Sequence, residues 1–256
     1  MSAINSIPVL GLGTWKLTGK TCITAVKKAL ELGYRHIDTA EYYRNHVEIG
    51  KAITGFERED IFITSKVWAS DLRYNDVLKM CDKALKELKT DYLDLYLIHW
   101  PNPKIPIEET LKAFKKLYDE GKIKNFGISN FDIGELKEVL EKTEIPITNN
   151  QIEFHPYWYR RELLEFCKEN KISVTSYSSL GRGILFEESI IKKLAKKYSK
   201  TEAQILLRWA LQKSTIVIPK ASSESHLREN TDIFNWKISG EDIEQIDSLN
   251  RNQSVL

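Results

Sequence analysis

Eight times along this chain a short apolar run, rich in β-branched residues, is followed by a longer amphipathic stretch. That alternation limits what the chain can fold into. The runs cover residues 9–13, 34–38, 61–66, 93–99, 124–129, 150–154, 172–177 and 215–219. None alternates strictly between apolar and polar residues, so most are expected to be strands buried on both faces, as parallel strands are. The stretches between them carry helical periodicity over residues 23–32, 74–88, 108–119, 132–141, 161–170, 190–198, 201–212 and 239–249. In the second of these, Val77, Met80, Cys81, Ala84 and Leu88 form one apolar stripe. Asp132, Thr201 and Ser239 sit where N-caps belong, and Gly33, Gly121 and Asn170 punctuate the boundaries. Strand then helix, eight times over, predicts an α/β chain folded as one (β/α)8 TIM barrel over residues 1–256. A doubly wound sheet is the rival, but no GxGxxG joins a strand to a helix. Gly11-Leu12-Gly13 lacks the third glycine.

Composition narrows the function classes. With 38 Lys+Arg against 36 Asp+Glu the net charge is +2, which argues against nucleic-acid binding. No apolar run reaches the ~18 residues of a membrane span. The N-terminal residues lack the basic start and apolar stretch of a secretory signal. Cys22, Cys81 and Cys167 are odd in number and form no CxxC, so they read as small core residues in a reducing cytoplasm. The expected partner is a small molecule, and the chain is expected to act as a monomer.

In a parallel barrel the C-terminal strand ends open onto one mouth, where ionisable residues become catalytic candidates. Three predicted strands end in this way, at Asp38, Lys66 and His99, and Tyr43 follows in the loop after Asp38. Alone, each has an ordinary reading: a cap, a snorkelling lysine, a structural histidine, one tyrosine among 11. Together they fit one chemistry. A phenol is a weak acid at neutral pH, a nearby ammonium is expected to lower its pKa, and a carboxylate keeps that ammonium charged. His99 adds a donor for a carbonyl oxygen. The set suits protonation of a carbonyl oxygen as hydride reaches its carbon.

The strings GYRHIDTAEYYRN (33–45), REDIFITSKVW (58–68), DLYLIHWP (94–101), FGISNF (126–131), NQIEFHPY (150–157) and IPKASSESHLREN (218–230) resemble the aldo-keto reductase family, in its order and through nearly the whole chain. The resemblance implies an NAD(P)H-dependent carbonyl reductase. It places Tyr43 as general acid, Lys66 as the group tuning its pKa, Asp38 as the anchor of Lys66, and His99 as the substrate orienter and proton relay. It further implies that Ser129, Asn130 and Gln151 hold the nicotinamide carboxamide, that Tyr177 stacks on the ring, and that Thr14, Trp15, Asp38, Ser178 and Leu180 also contact the cofactor. Glu229 and Asn230 match the family's adenine contacts.

The phosphate end can be argued from the residues alone. Barrels bind phosphate near their last strands, at the start of a short extra helix. Here the last predicted strand runs into Lys220, Ser222 and Ser223, with a short helix expected from Glu224. The chain departs from the family pattern in carrying Ala221 for a serine and His226 for an arginine. Arginine is the better fork for phosphate, so NADPH is expected to be preferred only weakly, with NADH also accepted. Trp15, Trp68 and Trp100 are expected to wall the substrate end. Residues 249–256 are shorter than the family's loop over that site, so the pocket is expected to stand bare on one side and to bind loosely. Two rivals use the same residues. One is a Schiff-base aldolase built on Lys66. The other is a non-catalytic, NADPH-binding regulatory subunit.

Overall fold

The computed structural model describes residues 3–4 and 6–256. A two-stranded antiparallel hairpin, β1 (Ala3–Ile4) and β2 (Ile7–Pro8), precedes the barrel. The eight barrel strands are β3 (Leu12–Gly13), β4 (His36–Asp38), β5 (Phe62–Val67), β6 (Leu95–Ile98), β7 (Phe126–Ser129), β8 (Ile147–Glu153), β9 (Ser173–Tyr177) and β10 (Thr215–Val217). All neighbours pair in parallel and in sequence order. The ring closes where Gly11 N donates to Val217 O (2.9 Å) and Val217 N to Val9 O (2.9 Å). Glycine is needed at 13, because a Cβ there would lie 2.4 Å from the Ile218 carbonyl oxygen. The chain is thus a single α/β barrel domain.

The outer layer holds α1 (Gly19–Glu31), α2 (His46–Ala52), α3 (Tyr74–Leu88), α4 (Ile107–Asp119), α5 (Ile133–Lys142), α6 (Arg161–Glu169), α7 (Ser189–Tyr198), α8 (Glu202–Gln212), α9 (Glu224–Thr231) and α10 (Gly240–Asp247). The expected caps are made. Asp132 and Thr201 form capping boxes with Glu135 and Gln204, and the Ser239 side chain accepts from Asp242 N. The stripe on α3 buries Val77, Cys81, Ala84 and Leu88 against the sheet, while Met80 is only partly buried. All three cysteines are buried and unpaired, and burial pushes the Cys22 and Cys81 thiols up to about 12.

Inside the barrel, Ile7, Val9, Leu95, Leu97 and Ile216 form a separate apolar cluster, with β2 contributing Ile7. The rest of the lumen includes polar pairs. His36 Nε2 meets Thr64 Oγ1 at 2.9 Å, and Asn149 Nδ2 donates to Ser173 Oγ and Thr175 Oγ1, each at 2.9 Å. β8 begins at Ile147, three residues before the predicted run, and Asn149 in that added stretch is buried and bonded across to β9. Among the described residues no helix is long and apolar enough to cross a membrane.

Candidate active site

Asp38 is the last residue of β4, Lys66 is the penultimate residue of β5, and His99 follows β6 directly. Tyr43 closes a 3-10 turn, Glu41–Tyr43, that leaves β4. Asn45 holds this turn in place. It is fully buried, accepts from Thr39 Oγ1 (2.7 Å), and donates to Thr14 O and Leu17 O (3.0 Å each). The loop bearing Thr14 and Trp15 is thereby tied to the loop bearing Tyr43. The sequence reading gave Asn45 no role, since nothing in a lone asparagine marks which carbonyls it will meet.

Lys66 has no exposed surface. Its ammonium donates to Asp38 Oδ1 (2.6 Å), to Thr39 O (2.9 Å) and, more weakly, to Tyr43 Oη (3.5 Å). Three donors and three acceptors satisfy the buried group. Burial lowers the Lys66 pKa, and the Asp38 carboxylate works against that. This placement removes the basis for a Schiff-base lysine, which needs a free amine open to substrate. Asp38 accepts a further bond on Oδ2 from Gln151 Nε2 (2.6 Å).

The Tyr43 phenol departs from expectation. It was expected to be made more acidic by Lys66, yet it is pushed well above its ordinary value, by burial first and by the Asp38 carboxylate second. Asp38 lies nearer the ammonium (2.6 Å) than the phenol does (3.5 Å), and its own negative charge opposes formation of a phenolate.

His99 packs edge-on to Tyr43 (5.8 Å between ring centres) and to Trp68 (5.1 Å). Burial, then the Lys66 charge, pushes it down to about 2, so the imidazole is neutral. Its Nδ1 is buried with no partner among the described residues. An orphaned N–H is rarer than an orphaned acceptor, which places the single proton on Nε2. His36 and His46 are likewise buried and pushed down to about 4, burial being the main cause. Such groups stay neutral in the fold while their unfolded counterparts take up protons. Stability is therefore full above the unfolded value of about 6.5 and lost as pH falls from there towards about 4. Unfolding in urea at pH 7 and pH 5 should show the loss, with an upper limit of about 2 kcal/mol for each histidine. An unchanged midpoint would mean that these histidines are not held neutral.

These groups open onto a pocket of about 630 Å³. Of the residues singled out from sequence, Thr14, Trp15, Asp38, Tyr43, Trp68, His99, Trp100, Ser129, Asn130, Gln151, Tyr177, Ser178, Leu180 and Lys220 line it. Lys66 does not; it stands behind Asp38 and Tyr43. Tyr177 donates from its hydroxyl to Asn130 Oδ1 (2.7 Å), while Asn130 Nδ2 reaches His99 O (3.0 Å) and Ser129 Oγ (3.1 Å). One hydrogen-bonded chain therefore joins the Tyr177 side of the pocket to the His99 backbone.

Ser222, Ser223, His226, Glu229 and Asn230 lie outside the lining. Ser222 and His226 are exposed, and Ser223 caps α9 by accepting from His226 N (3.3 Å). Glu229 accepts from Thr201, the N-cap of α8, and Asn230 is buried. Lining residues that the sequence reading missed include Lys16 and Arg182, whose cations lie 4.4 and 5.1 Å from the Trp15 ring centre. Tyr42 also lines the pocket, stacked on Trp68 at 4.2 Å. On the side expected to stand bare, only Leu256 of residues 249–256 joins the lining, and it is 58% exposed. Residues 250–255 are hydrogen-bonded to Tyr159 and Glu153 beside it.

Comparison with known proteins agrees with this geometry. A model of the Aldo/keto reductase family matches residues 9–251. The chain is 42% identical over 252 residues to a glyoxal reductase of Bacillus subtilis, covering 97% of this chain and 91% of that one. It is 40% identical over 258 residues to the methylglyoxal reductase DkgA of Escherichia coli, covering 98% and 92%. Among solved structures, an aldo-keto reductase enzyme from a Medee basin deep-sea metagenome library superposes with a TM-score of 0.95 at 38% identity, covering 98% of this chain and 94% of that one. The chain belongs to the aldo/keto reductase family.

Proposed function

We propose that this carbonyl reductase uses NADPH to reduce small aldehydes, 2-oxoaldehydes of the glyoxal and methylglyoxal kind among them, with Tyr43 as the proton donor. The observation that carries the reading is a buried Lys66–Asp38 pair placed behind a phenol that faces an aromatic-walled pocket. The two relatives named above for those substrates support the choice of class.

The residues present fit a nicotinamide dinucleotide. Tyr177 offers an apolar ring face beside the amide groups of Asn130 and Gln151, and Lys220 leads from the same pocket towards the α9 N-terminus. When bound, the cofactor supplies the hydride, which no side chain can carry. Tyr177, Asn130, Ser129 and Gln151 would hold its nicotinamide end. Lys220, Ser222, Ser223 and His226 would face its phosphate end, with Thr14, Trp15, Ser178 and Leu180 along the way and Glu229 and Asn230 near the adenine.

The protein's own groups then do the following. The Nε2–H of His99 and the Tyr43 hydroxyl converge on the carbonyl oxygen, orienting and polarising it. Trp15, Trp68 and Trp100 exclude water. As negative charge gathers on that oxygen it becomes far more basic than a phenolate, and it takes the Tyr43 proton even though burial keeps the phenol a weak acid. Lys66, at 3.5 Å, stabilises the phenolate left behind. That interaction favours the proton transfer against the opposing effects of burial and Asp38.

A panel of aldehydes and ketones, followed by loss of NADPH absorbance, tests the reading. Consumption with methylglyoxal is expected, and none with any carbonyl would overturn it. NADPH is expected to exceed NADH in kcat/KM by less than about tenfold, because His226 is a poor phosphate fork. His226→Arg is expected to widen that ratio by about tenfold. A tenfold preference for NADH in the wild type would contradict the assignment of Lys220. The chain is further proposed to work as a cytoplasmic monomer.

A further inference from the structure

On the outer face of β5 lies a buried contact that the chemistry above does not use. Successive side chains on a strand point to opposite faces. Lys66 points to the pocket side, so Ser65, which is also fully buried, points out towards the helices. There it meets His46, the first residue of α2. His46 is 3% exposed, and its Nε2 lies 2.9 Å from Ser65 Oγ. Its Nδ1 lies 3.5 Å from Oε2 of Glu87, on α3. A carboxylate can only accept, so the proton of the neutral imidazole sits on Nδ1, and Nε2 accepts from the Ser65 hydroxyl. Glycine at 50 lets the two helices close in this way: a Cβ there would lie 2.4 Å from Glu87 O.

His46 follows Tyr43 by three residues on one tightly bonded stretch. Tyr43 N donates to Ala40 O and Arg44 N to Glu41 O (3.0 Å each), and Ile49 N then bonds Asn45 O (3.1 Å) as α2 begins. Ser65 directly precedes Lys66 on β5. The same two segments are thus bridged on the pocket side by Lys66 Nζ and Tyr43 Oη at 3.5 Å, and on the outer side by Ser65 and His46. At the rim Tyr42 stacked on Trp68 bridges them again. The Asn45 side chain cannot do this work, because its partners Thr14, Leu17 and Thr39 all lie off β5. The contact between Lys66 and Tyr43 is too long to hold its own separation, whereas the short buried bond behind it can.

We propose that the Ser65–His46 bond is a strut that sets the separation of Tyr43 from Lys66, with Ser65 and His46 as positioning residues for the proton transfer. The proposal rests on the reductase reading above and adds to it the means by which the phenol is kept within range of the ammonium. Stabilisation of the phenolate falls with distance, and a displacement of ~1 Å at such a site costs about ten- to hundredfold in rate. Neither residue lines the pocket, so contacts to substrate and cofactor stay as they are.

The test compares Ser65→Ala, His46→Leu and His46→Gln, alone and on a Tyr43→Phe background. It reads methylglyoxal kinetics, NADPH affinity by tryptophan fluorescence, and melting temperature. Ser65→Ala removes the donor of the strut and His46→Leu its acceptor, while glutamine returns an acceptor near the Nε2 position. In Ser65→Ala and His46→Leu, kcat is expected to fall about tenfold, and in His46→Gln to recover to within about threefold of wild type. KM and the NADPH Kd should stay within about twofold throughout. On the Tyr43→Phe background, Ser65→Ala should alter the remaining rate by less than about twofold, since no phenol is left to position. A purely structural role would lower that rate too. Thr110→Val is the control for stability: it deletes another buried hydroxyl bond, to Leu72 O at 2.7 Å, away from the pocket lining. It should lower the melting temperature and leave kcat alone. If His46→Leu does not fold, Ser65→Ala, which deletes a single oxygen, carries the test. Full kcat in Ser65→Ala overturns the proposal. So do no recovery in His46→Gln, the same fold loss on the Tyr43→Phe background, and an equal loss of kcat in Thr110→Val. Wild-type protein that consumes no NADPH with any carbonyl would end the reductase reading, and the strut with it. An active wild type whose Ser65→Ala variant keeps full kcat would end only the strut.

Discussion

Tyr43→Phe is expected to cut kcat for aldehyde reduction by about 10²–10⁴-fold, the usual worth of a positioned general acid. The loss should appear in kcat and kcat/KM alike, because the proton moves only as the transition state is reached. NADPH affinity should stay within about twofold, since the phenol oxygen's one hydrogen bond among the described residues is the long 3.5 Å contact with Lys66. For the same reason the fold should be nearly unaffected. Steady-state kinetics and fluorescence titration on the same preparation separate the two effects. A variant that retains more than about a tenth of wild-type kcat would show that another group delivers the proton.

Lys66→Met carries the second large effect, and it is on stability as much as on rate. The side chain has no exposed surface and its ammonium neutralises a carboxylate 2.6 Å away. Methionine fills most of the same volume but leaves Asp38 buried with, among the described residues, only Gln151 Nε2 as a side-chain hydrogen-bond donor. Breaking one half of a buried pair costs about 3–5 kcal/mol, whereas removing both halves costs less. A melting temperature lower by about 10 °C is expected, and the double variant Asp38→Asn, Lys66→Met should recover part of it. Turnover should fall as well, because the phenolate formed on proton transfer then has no cation beside it. A Lys66→Met protein that melts with the wild type would mean that the pair is not buried and coupled as described.

The parts of this site that could be read from the sequence are those that strand periodicity places. Asp38, Lys66 and His99 could be assigned to one mouth because a parallel barrel sends all its strand ends the same way. Tyr43 follows Asp38 in the next loop, and its role comes from the family resemblance of the string around it. The direction of its pKa could not be read, since that depends on burial and on Asp38 being nearer to Lys66 than Tyr43 is. Polar residues turned into the lumen hid the start of β8, and the Gln151 side chain met Asp38, a partner 113 positions away. Leu256 was missed because the residues before it are held by distant contacts, such as Ser254 to Glu153, 101 positions earlier, which leave no local signal. Local pattern shows which element a residue sits on; it does not show which distant group will hold it.

The most direct measurement is a crystal structure of the protein with NADP⁺ bound. The nicotinamide ring is expected against Tyr177, with space for a carbonyl group between it, the Tyr43 hydroxyl and His99 Nε2, and with Lys66 still bonded to Asp38. A Tyr43 side chain turned away from Lys66, with the planar ring bound elsewhere, would contradict the assignment of Tyr43 as the proton donor.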